Sequence, residues 1–159
     1  MQLFRDDDVS VTTDINILMK VHDLFVKYHK THTVACQMKD IWENKEVWYF
    51  LMTAPNLNIG LHGWGHEDYS RMPRADIKRE LSMALDYWNF MIARGNYEPK
   101  PLSVFYPPWN KINEDLVDVC EELGLRVDNR VGNDVMNIHS WEFIYPERLK
   151  NLEAILREN

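Results

Sequence analysis

At 159 residues, 45% of them apolar, the chain has the size of one globular domain able to bury roughly two-thirds of its unfolded surface, so a single domain over residues 1–159 is expected. A formal net charge of −7 and a pI near 5.3 argue against a nucleic-acid backbone as the main partner, and neutral or cationic ligands fit better. No run approaches the length of a membrane span and Met1 to Arg5 has no signal-peptide apolar core, which together predict a cytoplasmic protein. Cys36 and Cys120 stand far apart, outside any ligand or redox motif, and read as buried free thiols.

Residues 2–5 predict a short first strand that ends at the triplet Asp6-Asp7-Asp8. Thr12-Thr13-Asp14 offers an N-cap, and Ile15, Leu18, Val21, Leu24, Phe25 and Tyr28 recur at helical spacing up to about Lys30. His22, His29 and His32 have no second ligand type beside them and are read as surface or hydrogen-bonded residues. A second strand is expected over 32–38, then a helix over 40–52 stopped by Pro55, with Trp42 and Trp48 in its core stripe. The apolar run 57–61 predicts a buried third strand, and 74–93 a long helix carrying Trp88 inward. Pro99-Lys100-Pro101 leads into a fourth strand over 102–106, after which the prolines of Pro107-Pro108-Trp109 cannot continue a ladder. A helix over 113–123 closed by Gly124, a strand over 125–127, a sixth strand over 135–138 ending at His139 and a helix over 146–157 complete the chain. Strands and helices thus alternate about six times, which points to parallel βα units in either a doubly wound sheet or a barrel.

Parallel β/α folds assemble their sites at the carboxyl ends of strands. The Asp triplet, the pair His62 and His66, the turn Tyr106-Pro107-Pro108-Trp109 and His139 all fall at such ends, so one shared site is expected. His62-Gly63-Trp64-Gly65-His66 brings two imidazoles to one cation if the backbone turns once between them, and the two glycines supply the freedom for that turn. Carboxylates packed as tightly as the triplet need a cation or solvent beside them.

The order of these motifs resembles the polysaccharide deacetylase family, the NodB-homology domain of carbohydrate esterase family 4. Arg5-Asp6-Asp7-Asp8-Val9 is similar to the family's first motif, Thr-Phe-Asp-Asp-Gly, and His62 to His66 to its second, His-x-x-x-His. Phe105 to Trp109 resembles the third, an Arg-x-Pro-Tyr-like strand end, and Asn137-Ile138-His139 the last, an apolar pair before a late His. The resemblance spans nearly the whole chain and implies a distorted, incomplete (β/α) barrel with about six parallel strands. It implies a divalent metal on Asp8, His62 and His66, with zinc first and cobalt, nickel, manganese or iron as alternatives. It further implies Asp7 as base and His139 as acid, in hydrolysis of an N-acetyl or O-acetyl group on a sugar or polysaccharide. A register shifted by one residue would make Asp6 the base and Asp7 the ligand. Tyr106, Pro108, Trp109, Trp64 and Trp141 are the expected substrate-binding residues, since an indole face suits the apolar face of a sugar ring.

The chain also departs from that pattern. Tyr106 or Phe105 stands where the family often has an arginine paired with the base, which leaves Arg5 or Lys111 to take that part. The family's fourth motif, an Asp-Trp-like pair, has no clean match among Asp128, Arg130 and Asp134, and the short chain predicts a shallow, open groove. Two histidines and a carboxylate also suit iron oxygenases, although an adjacent carboxylate base argues for hydrolysis. Two other readings stand beside the deacetylase: a carbohydrate-binding relative without turnover, and an amide hydrolase acting on a small non-sugar amide.

Overall fold

The computed structural model describes residues 3–132 and 135–158; Gln2, at the start of the first predicted strand, and Asp134 lie outside them. The strands are β1 (Leu3–Val9), β2 (His32–Cys36), β3 (Leu57–Leu61), β4 (Val104–Phe105), β5 (Arg126–Val127) and β6 (Val135–Ile138). They form one sheet in the order β5-β4-β3-β2-β1-β6, parallel at every pairing. The helices are α1 (Ile15–Lys27), α2 (Lys45–Thr53), α3 (Arg74–Gly95), α4 (Glu114–Glu122) and α5 (Pro146–Glu158). No helix among the described residues is long and apolar enough to cross a membrane.

Local chemistry sets the helix starts. The side chains of Asp14, Asn44 and Asn113 accept from the backbone N–H groups of Asn16, Val47 and Leu116, each satisfying a donor that the first helical turn leaves orphaned. The apolar stripes of α2, α3 and α4 then close over one face of the sheet, where Val34, Leu51, Leu61, Leu81, Trp88, Phe105 and Leu116 form the main core. A smaller core lies where α1 and α5 cover β1 and β6, built from Phe4, Val21, Phe25, Ile138, Leu152 and Leu156. Cys36 and Cys120 are both buried and free.

The sheet is strongly curled. Neighbouring strands lie about 4.8 Å apart, so β1 and β5, four steps apart in the order, would be separated by about 19 Å if the sheet were flat. Yet Arg5 on β1 reaches Asp128, just past β5, with Nη1 3.4 Å from its carbonyl oxygen. The six strands therefore make a half-barrel, which selects the barrel over the doubly wound alternative. Arg5, Thr33 and Asn58 share a register row, and the side chains of one row share a face, so the concave interior is polar.

Several sequence expectations are corrected. β1 does not stop before the Asp triplet but runs through it to Val9, because the ladder with β2 holds at Asp6 and resumes at Val9. The predicted helix over 40–52 is a short 3₁₀ turn at Ile41–Glu43 followed by α2, since Asn44 caps a new start. Trp42 is 37% exposed rather than in the core, whereas Trp48 and Trp88 are buried as expected. By contrast, His22 and His32 take the hydrogen-bonded alternative expected of them: both are buried, with their Nδ1 atoms 3.2 Å apart.

Candidate metal centre and active site

A β-bulge builds the first part of the site. Asp6 pairs with Val34 and Val9 with Cys36, so β1 spends three residue steps where β2 spends two, and the extra residue falls at Asp7-Asp8. Asp8 takes up the irregularity with φ 66, a left-handed conformation that aspartate tolerates better than most residues. Strand alternation places Asp6 on the helix-covered face and Arg5 and Asp7 on the concave one. The left-handed residue then turns the Asp8 carboxylate toward the carboxyl ends of the strands, where Gln37 Nε2 donates to it at 3.1 Å.

Both histidines arrive from the end of β3. His62 is buried, and its Nδ1 lies 2.6 Å from the Tyr106 carbonyl oxygen, which leaves Nε2 to face Asp8 Oδ1 at 3.4 Å. A backbone carbonyl on the far ring nitrogen is the arrangement that fixes tautomer and orientation in metal-binding histidines. The chain turns at Gly63, φ +112, where a Cβ would lie 2.5 Å from the Tyr69 hydroxyl oxygen. That hydroxyl in turn accepts from the Trp64 N–H at 2.9 Å. His66 then returns with Nε2 3.0 Å from Asp8 Oδ1, its ring edge-on to Trp109 at 4.3 Å between centroids. One donor atom from each of Asp8, His62 and His66 lies within 4.8 Å of the others.

The electrostatics suit a cation. Burial raises the Asp8 carboxyl, but His62, His66 and His139 outweigh it and hold the group below the usual carboxylate range. Burial also lowers the His66 imidazole despite the adjacent Asp8, favouring the neutral form a metal requires. His139 approaches Asp8 from the β6 side, with Nε2 3.6 Å from Oδ2, and its Nδ1 lies 3.9 Å from Glu142 Oε2.

Asp7 is held by Arg5. Nε and Nη2 of the guanidinium donate to Oδ1 and Oδ2 at 2.7 and 2.9 Å, a bidentate fork in which the arginine side chain is fully buried. Nη2 also donates to Asn110 Oδ1 at 2.8 Å, and the guanidinium carbon lies 4.9 Å from the Tyr106 ring centroid. Lys111 instead pairs with Asp68 at 2.9 Å. Of the two cations considered for the missing arginine, Arg5 is thus the one in contact with Asp7.

The remaining sequence candidates divide. Trp109 and Trp141 are more than half exposed, and Trp141 lines a cleft of about 370 Å³ together with Asp7, Asp8, Thr12, Ile17 and Ile144. Tyr106 and Pro108 are buried, and the Tyr106 ring packs against Gly60. Tyr106 therefore meets the site through its carbonyl rather than as a substrate surface. Trp64 packs edge-on to Tyr87 at 5.5 Å and against the core. Asp128 is buried between Arg126 and Arg130; hydrogen bonds from Arg130 foremost, with the two guanidinium charges behind them, hold its carboxyl down at about 2, so it is committed to those pairs. Asp6 lies apart, taken up by Ser140. Three contact residues escaped the sequence reading. Gln37 directly follows β2 and was open to the strand-end rule, and Glu142 stands one helical turn after His139. Asn110 accepts from Arg5 because the turn puts it and Trp109 at φ 57 and 53, which no local pattern announces.

No family model matches the sequence, and no curated protein matches it. Solved structures do. A family 4 carbohydrate esterase pseudoenzyme from Bacillus anthracis superposes with a TM-score of 0.72 at 14% identity, over 99% of this chain and 61% of that one. The peptidoglycan deacetylase PdaC from Bacillus subtilis matches with a TM-score of 0.72 at 14% identity, over 99% of this chain and 82% of that one. A family 4 acetyl xylan esterase from Clostridium thermocellum, in complex with a cobalt ion, matches with a TM-score of 0.71 at 15% identity, over 98% and 83%. The chain spans about three-fifths of the length of the first structures it matches. Likeness at these identities establishes architecture, and the chain has the NodB-like half-barrel fold of the family 4 carbohydrate esterases.

Proposed function

We propose that the chain, as one domain over residues 1–159, is a metal-dependent hydrolase that removes an acetyl group from an N-acetylated or O-acetylated sugar. The observation that carries this reading is the convergence of Asp8, His62 and His66 from two strand ends, with an arginine-held carboxylate next along the chain and a third histidine across from it. The donor set fits a divalent cation: one carboxylate and two imidazoles, one ring oriented by a backbone carbonyl and the other favoured neutral. Zinc is the first choice for such donors, and the cobalt in the acetyl xylan esterase of similar fold supports a first-row ion. When bound, the ion would supply a Lewis-acid charge that polarises the acyl carbonyl and acidifies water.

The protein's own groups account for the proton traffic. Asp7 borders the cleft, and its carboxylate plane is set by the Arg5 fork, so it is placed to take the proton of the attacking water. His139, with Nε2 turned to the Asp8 side of the cleft, is placed to hand a proton to the leaving amine or alcohol, without which an amine does not depart. Exposed Trp109 and Trp141 flank the site and offer apolar faces to a sugar ring. The Arg5–Asp7 pair supports turnover despite the lost arginine of the third motif. A pseudoenzyme among the similar structures favours the second reading, sugar binding without turnover.

Acetate release from acetylated amino-sugar oligomers and acetylated xylan tests the proposal. Release should cease on chelation and return with zinc or cobalt. Asp7→Asn should lower kcat by about 10²–10⁴-fold while keeping metal affinity, the range for loss of a general base. Release that survives both treatments overturns the proposal, and saturable sugar binding with no acetate from the metal-loaded protein selects the second reading.

A further inference from the structure

One carboxylate in the triplet takes no part in the reaction outlined above, and its surroundings are unusual. Asp6 is completely buried, which an ionisable group tolerates only when paired and hydrogen-bonded. Its partners are specific. Oδ1 accepts from the Ser140 backbone N–H at 2.8 Å, and Oδ2 accepts from the Ser140 hydroxyl. His32 Nε2 faces Oδ2 at 3.4 Å, an electrostatic contact longer than a good hydrogen bond, while its Nδ1 is engaged with buried His22. The His32 ring is stacked on Phe25 with centroids 4.5 Å apart, so the imidazole is fixed from α1.

Asp6 thereby grips both neighbours of His139. Its backbone is in register with Ile138 in the β1–β6 ladder, and its side chain reaches past that pair to hold Ser140. His139 sits between the two held residues, with about a third of its side chain exposed and an extended backbone, φ −133 and ψ 122. Nothing in its own burial would keep so exposed a ring facing Asp8.

We propose that Asp6 is a positioning residue: its carboxylate, backed by His32, clamps Ser140 and so holds His139 in place across the cleft from Asp8. The proposal rests on the hydrolase reading only for its kinetic consequence, and the clamp itself is a structural statement. Asp6→Asn can accept at one atom only: with its oxygen on the Ser140 N–H, an amide NH2 that only donates stands in the place of Oδ2, facing the Ser140 hydroxyl and His32. Ser140→Ala removes only the hydroxyl contact, and Ser140→Thr restores it.

The test compares these variants by cobalt binding, by steady-state acetate release, and by NMR of the Ser140 amide and the His139 ring. Asp6→Asn should lower kcat by about 10²-fold, the scale for a catalytic group misplaced by about an ångström. KM and cobalt affinity should hold within about twofold, because the ligand set is untouched. Ser140→Ala should lose about tenfold in kcat, Ser140→Thr should recover it, and the double variant should be no worse than Asp6→Asn, as groups acting in one unit are not additive. The Ser140 amide should lose exchange protection in Asp6→Asn, and the His139 ring its contacts with Trp141, whose ring lies 5.2 Å away. Cobalt affinity falling in step with kcat would overturn the clamp, placing Asp6 instead in support of Asp8. Unchanged Ser140 and His139 signals would overturn it equally. If the wild type releases no acetate, the hydrolase reading fails alone, and the NMR comparison still decides the clamp. Should Asp6→Asn not fold, the alanine and threonine variants at Ser140 carry the same test.

Discussion

Replacing Arg5 by Met would probe the interior charge pair on which the candidate base depends. The guanidinium is fully buried and makes a two-pronged contact with an Asp7 side chain that is only 9% exposed. Methionine fills much of the volume but leaves a carboxylate in the half-barrel with no counterion. Breaking one partner of a buried pair typically costs about 3–5 kcal/mol, because the survivor keeps its desolvation penalty. For a chain of this length each kcal/mol moves Tm by about 2–4 °C, so a fall of about 6–20 °C is expected. The companion variant, Arg5→Met with Asp7→Asn, removes both charges and should recover more than half of the loss. The assay is reversible urea unfolding of all four proteins in chelator, which keeps metal binding from masking the folded-state change. A coupling near the upper end of the usual range, about 2–3 kcal/mol, is expected between these positions. If the cycle closes within about 0.5 kcal/mol, or Arg5→Met alone costs less than about 1 kcal/mol, the pair is not what holds Asp7 and the argument fails.

Two further perturbations read other parts of the structure. Gly63→Ala places a methyl group at φ +112 and 2.5 Å from the Tyr69 hydroxyl oxygen, so a loss of about 1–3 kcal/mol is expected, together with weaker zinc affinity by calorimetry. Unchanged Tm and affinity would show that the turn between the histidines needs no glycine. Burial, with the neighbouring His32 second, lowers the His22 imidazole to about 4, so between its unfolded value of 6.5 and that pH the unfolded chain binds more protons. Stability from this group is therefore full above pH 6.5 and is lost as pH falls toward 4, a decline of about 3 kcal/mol. His22→Phe should lack that decline in urea titrations across the window, and equal acid sensitivity in both proteins would refute the assignment.

Much of this architecture is written locally. The stripe of α1, the long run of α3, the caps at Asp14 and Asn113 and the apolar segment of β3 follow from side-chain periods of 3.6 and 2, which neighbouring residues display without reference to the rest of the chain. Alternation of strand and helix then implies parallel order, and strand-end placement made Asp8, His62, His66, Trp109 and His139 legible as candidates. The Asp triplet shows where local reading stops. Local reading ends the first strand at three consecutive aspartates and treats them as one acidic group, yet the structure sends them to three environments: Asp6 to Ser140, Asp7 to Arg5, and Asp8 to the histidines.

The residues by themselves thus determined the elements, their order and the donor types available. The tertiary structure decided which carboxylate meets which partner, that Arg5 rather than Lys111 contacts Asp7, that Trp42 is outside the core, and that His22 and His32 are inside it. The reason is physical. Helical and strand periods arise between neighbours in sequence, whereas a bulge is defined only against the strand beside it, and the curl that brings Arg5 to Asp128 exists only once five strands are paired.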